Sequence, residues 1–130
     1  MKRLVTFVIA LVFILGTVGC SNNLLHTIKK AAKIEIVHYE RHSSDEEPRT
    51  AIITNEDCIK HICDNLNSLK LKKIEYGEPM MLEFKLIFYD ADLNVIGTVY
   101  IPFHNGMDFG GDYYTIIDGE IDRDYIAALL

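Results

Sequence analysis

Leu82-Glu83-Phe84-Lys85-Leu86-Ile87-Phe88-Tyr89 sets Leu82, Phe84, Leu86 and Phe88 at every second position. A period of two belongs to a β-strand with one buried side, because successive side chains point to opposite faces of a sheet. That apolar face is the best candidate for the floor of a core. Asp90-Ala91-Asp92-Leu93-Asn94 follows with turn-forming side chains, and residues 95–101 are expected to return as the hairpin partner.

Upstream, residues 71–76 read as a strand, broken by Gly77-Glu78-Pro79. Before it, Ile59, Ile62, Leu66 and Leu69 recur at helical spacing, which predicts an amphipathic helix over 55–70. Thr54 and Asp57 fit a capping box at its start. Residues 33–41 and 49–54 are rich in β-formers and read as a hairpin. Downstream, residues 103–111 read as a glycine-rich loop and 112–117 as a last strand. Residues 121–130 close the chain as a short helix with Ile121, Tyr125 and Leu129 on one side. The order β-β-α-β-β-β-β-α predicts an α+β fold, a mainly antiparallel sheet of about five or six strands with helices on one face.

The N-terminus carries a different signal. Lys2 and Arg3 precede an apolar run without charge over residues 4–18, and the chain turns polar after Cys20. The run is about 15 residues, short of the ~20 that span a bilayer, so it reads as a secretory signal rather than a permanent span. Gly16-Thr17-Val18-Gly19-Cys20 resembles the lipobox of bacterial lipoproteins, with Thr17 where that family usually has a bulky aliphatic residue. The resemblance implies removal of residues 1–19 and a diacylglyceryl group on Cys20. Acyl chains bury ~0.8 kcal/mol per methylene, and two of them anchor a protein stably where one does not. Residues 20–32 then read as a lipidated tether and 33–130 as a single domain. The pattern of the domain resembles small lipoproteins of Gram-positive bacteria without assigned activity.

Removing Lys2 and Arg3 leaves 11 basic residues against 19 acidic ones, near −8. Such a domain is repelled by nucleic acid and by anionic surfaces, so a nucleic-acid partner is not expected and attachment falls to the lipid.

The candidate chemistry is thin. Cys58 and Cys63 lie five residues apart on the predicted helix and point about 140° away from each other, so free thiols are expected. His38 and His42 flank Glu40, but on a strand they would stand ~13 Å apart, too far to share a metal ion. Asp90, Asp92 and Asn94 copy half of a calcium loop, yet Val95 and Ile101 occupy the positions that need Gly and Glu. Asp118, Glu120 and Asp122 fail the same way, and Asp122 is expected to cap the last helix. In the 103–111 segment, His104, Asn105, Met107 and Phe109, with Tyr113 beyond, are the candidate binding rim. No phosphate loop, serine elbow, zinc or CxxC motif is present. No cofactor and no catalytic residue is therefore expected. The expected function is a membrane-anchored, non-catalytic binding or interaction module with an envelope protein as its partner. The alternative is a small-molecule or metal binder using the 104–111 loop or His38 and His42.

Overall fold

The computed structural model describes residues 23–41, 46–75 and 81–130. Among them are seven strands, β1 (Lys33–His38), β2 (Arg49–Ile53), β3 (Lys70–Ile74), β4 (Leu82–Tyr89), β5 (Val95–Pro102), β6 (Gly106–Phe109) and β7 (Asp112–Asp118). Three helices accompany them, α1 (Asn23–Ile28), α2 (Glu56–Ser68) and α3 (Arg123–Ala128). All the strands join one antiparallel sheet in the order β2-β1-β4-β5-β6-β7-β3. The α+β class is as the sequence indicates, with one strand more. Cys20, residues 1–19, His42 and the Gly77-Glu78-Pro79 break lie outside the described residues.

The alternation in β4 builds the centre. Phe84, Leu86 and Phe88 are at most 1% exposed and stand opposite His38, Ile36 and Ile34 of β1 on one side. On the other side they meet Ile101, Val99 and Gly97 of β5. Burying one such side chain is worth roughly 1.5–3 kcal/mol, so this patch dominates the core. Strands β2 and β3 are consecutive along the chain yet form opposite edges of the sheet. Helix α2 must therefore cross the sheet between them. Its 13 residues cover ~20 Å of the ~29 Å between the two edges. Ile59, Ile62, Cys63 and Leu66 lie on its buried side. The cap is Asn55 rather than Thr54. The Asn55 side-chain oxygen accepts from the amides of Asp57 and Cys58 at 2.9 and 3.2 Å. At the other end of the chain, Asp122 caps α3 as expected, accepting from the amide of Tyr125.

Two segments differ from expectation. Residues 103–111 contain β6, where Met107 is fully buried and Phe109 is 8% exposed. The stretch read as a tether includes α1, whose Ile28 is fully buried. Gly97 makes room for it. A Cβ at Gly97 would lie 3.3 Å from the Phe109 ring and 3.4 Å from Ile28 Cγ2. The Cys63 thiol also donates to the Ile28 carbonyl at 3.5 Å. Packing thus begins before residue 33, the expected domain boundary.

All three helices contribute to the core cluster on one face of the sheet. The other face carries no helix among the described residues. A row of paired residues crosses all seven strands there, from Thr50 through Val37, Lys85, Tyr100, Asp108 and Tyr113 to Ile74.

Candidate functional site

The residues predicted as a binding rim divide between the two sides of β6 and β7. Met107 and Phe109 are core side chains. Asn105 is exposed, and its side-chain amide donates to the Ile116 carbonyl at 3.1 Å. His104 and Tyr113 meet each other on the helix-free side, where His104 Nε2 lies 2.6 Å from the Tyr113 hydroxyl. The Tyr113 ring covers Gly106, and a Cβ there would stand 2.8 Å from Tyr113 Cζ. Gly106 is therefore the seat of an aromatic ring, not a hinge of a flexible loop.

Around this pair the helix-free row assembles Lys85, Tyr100 and Asp108. The Lys85 ammonium lies 5.7 Å from the Tyr100 ring centroid. Asp108 stands between the two tyrosines in register. Burial, followed by the charge of Asp112, pushes its carboxyl above the usual carboxylate range. Burial likewise raises the Tyr113 phenol. The surface is half-buried, aromatic and amphipathic, with a cation and an anion near its middle. Isoleucines lie toward its margins, Ile52 at 61% and Ile117 at 62% exposure. Tyrosine-rich surfaces of this kind supply large contact area together with hydrogen-bonding groups.

A second cluster joins α2 to α3. His61 Nε2 lies 3.0 Å from Asp122 Oδ2, and the imidazole stacks on Tyr125 at 3.7 Å between centroids. The Tyr125 phenol is raised chiefly by its hydrogen bond to Cys58. Thiol, imidazole and carboxylate are thus neighbours, with the Cys58 thiol paired to the Tyr125 phenol. The Cys63 thiol is pushed up to about 11 by burial and then by Asp64. Both cysteines are free thiols. Beside this cluster lies an open cleft of about 430 Å³ lined by Asn65, Glu120, Ile121, Asp122, Arg123 and Asp124. Asn65 closes its floor, donating to the Glu120 carbonyl and accepting from the Asp122 amide, both at 2.9 Å.

Sequence reasoning missed Arg123 altogether. Its guanidinium donates to Glu83, to the Pro102 carbonyl at 2.9 Å and to the His104 carbonyl at 3.0 Å. It thereby ties the start of α3 to β4 and to the end of β5. Among the described residues no group of three or more His, Cys, Asp or Glu side chains is placed to hold a metal ion. His38 packs on Phe84 at 4.9 Å and lies 3.3 Å from Arg49. Among the described residues no helix is long and apolar enough to cross a membrane. No family model, curated protein or solved structure matches this chain.

Proposed function

We propose that this chain is an extracytoplasmic lipoprotein held on a membrane by a lipid on Cys20, and that its domain is a non-catalytic interaction module. The supporting observation is the helix-free sheet face, where Tyr100, Asp108 and Tyr113 lie in one register with Val37 and Lys85. A half-buried face with aromatic centre and exposed isoleucine margins suits a protein partner in the cell envelope better than it suits a small ligand. Small ligands favour concave, largely apolar pockets. The cleft beside α3 is open and polar.

Two measurements test the two halves of the reading. Intact mass and detergent partitioning of the full chain, beside Cys20→Ala, test the anchor; an unmodified product retaining Met1 would refute it. A photo-crosslinking residue at Tyr100 is expected to give one discrete protein adduct in intact envelopes, and the same residue at Lys60 on the helix side none. Equal labelling from both positions would sink the interaction face.

A further inference from the structure

The lipid and the domain are joined by very little chain. From Cys20 to Asn23 is three residues, at most ~11 Å when fully extended. Helix α1 adds ~9 Å along its axis before Ile28 enters the core. A domain of about 100 residues has a radius of gyration near 13 Å, so it is wider than this leash is long. Ile28, fully buried against Gly97 and Phe109, forbids paying out more chain without opening the core. The lipidated domain is therefore held within ~20 Å of the bilayer, and the edge beside α1 is the part nearest to it.

That edge has the chemistry for the role. Lys29 and Lys30 are exposed directly after α1. Lys33, Tyr89 and Val95 form one row across β1, β4 and β5, and the Ala32 amide donates to the Tyr89 carbonyl at 2.8 Å. Among the described residues no acid lies within salt-bridge range of these three lysines. The adjoining turn is rigid. Asp90 Oδ1 accepts from the amides of Asp92 and Asn94, both at 2.9 Å, and the Asp90 carbonyl accepts from Leu93. Leu93 sits at the tip of this turn with φ of 65°, a conformation that favours Gly or Asn, and is 64% exposed. Val95 beside it is 59% exposed. Asp92, exposed on the same turn, opposes anion attraction, whereas the Asp90 carboxylate is turned onto the amides.

Building on the lipoprotein reading, we infer that Lys29, Lys30, Lys33, Leu93 and Val95 form a membrane-facing edge. The lysines lie at the anionic headgroups and the two aliphatic side chains enter the interface. Each lysine near an anionic surface is worth roughly a fivefold preference. The lipid on Cys20 holds the protein down, and this edge fixes its orientation, leaving the helix-free face standing away from the bilayer plane.

The chain contains no tryptophan, so Leu93→Trp is a unique fluorescent reporter. Ile117→Trp, towards the far end of β7, is its control. The full chain, with acylation of Cys20 first verified by intact mass, is reconstituted in vesicles of brominated phosphatidylcholine with phosphatidylglycerol. Quenching at Leu93→Trp several-fold above that at Ile117→Trp is expected, and Lys29→Glu with Lys30→Glu should remove most of the difference. Equal quenching at the two positions, or a difference indifferent to the two lysines, in verified acylated protein overturns this edge and leaves the anchor intact. An unacylated Cys20 defeats the lipoprotein reading instead.

Discussion

The Tyr113 ring lies directly on the backbone of Gly106, from the strand alongside. Both residues are held there by their surroundings, since the Tyr113 hydroxyl bonds His104 and Gly106 pairs with Thr115 in the ladder. Gly106→Ala should cost about 1–3 kcal/mol in urea unfolding, through overpacking rather than backbone strain. In the Tyr113→Ala background the same substitution should cost far less, a coupling of about 1 kcal/mol or more. Additive costs would mean that the ring does not rest on the glycine.

Ile28→Ala should destabilise the whole domain by about 2–5 kcal/mol, because it empties a fully enclosed site between Gly97 and Phe109. A free tether at this position would leave the unfolding midpoint unchanged. Thermal or urea denaturation separates the two outcomes.

What the sequence made legible and what it hid follow from the range of the forces involved. The alternation in β4 and the stripe on α2 are local patterns with many members, and both elements appear where they are expected. Ile28 is a lone apolar residue followed by Lys29 and Lys30, with no period to reveal it. Its burial depends on Gly97, some seventy positions away. In β6, Gly106-Met107-Asp108-Phe109 does alternate, but three residues set between Gly106 and Gly110 carry the composition of a loop. The candidate site was half legible. His104 and Tyr113 stand out as residue types, whereas the row through Lys85, Tyr100 and Asp108 depends on the registers of β4 with β5 and of β5 with β6. Arg123 and Glu83 are 40 positions apart, and no local pattern relates them.

Arg123→Lys should not be tolerated as a conservative change. A single ammonium cannot serve Glu83, the Pro102 carbonyl and the His104 carbonyl at once. The Arg123 and Glu83 side chains are 27% and 19% exposed, so removing the cation strands a largely desolvated carboxylate. A loss of about 2 kcal/mol is expected for Arg123→Ala, with Arg123→Lys recovering less than half. The double variant with Glu83→Gln should recover part of it. Equilibrium unfolding of wild type, Arg123→Ala, Glu83→Gln and the double variant measures the coupling.

Cys63 should resist iodoacetamide in the folded protein at pH 8. With its thiol pushed up to about 11, only about one molecule in a thousand carries the thiolate that reacts. Mapping by mass should find Cys58 alkylated first and Cys63 only after urea is added. In Ile28→Ala, which removes part of the cover over Cys63, native-state labelling of Cys63 should accelerate. Equal rates at the two cysteines in the wild type would contradict the burial of this side of α2.

The pair His61 and Asp122 makes stability depend on acid in a direction that can be worked out. The hydrogen bond from His61, helped by the Tyr125 amide, holds the Asp122 carboxyl below its usual range. A carboxylate with a lowered folded-state pKa adds stability above its unfolded value, about 3.9, and loses that contribution as pH falls through the lower folded value. Asp90 behaves the same way, lowered chiefly by the Asn94 amide. The urea midpoint should therefore hold steady down to about pH 5 and fall below about pH 4. Asp122→Asn keeps a capping oxygen for α3 but cannot ionise, so its midpoint should be lower at pH 7 and converge on the wild type near pH 2 to 3. Asp90→Asn supplies an independent comparison at the opposite end of the sheet. A constant difference between wild type and Asp122→Asn across this range would mean that the His61 bond does not favour the charged carboxylate.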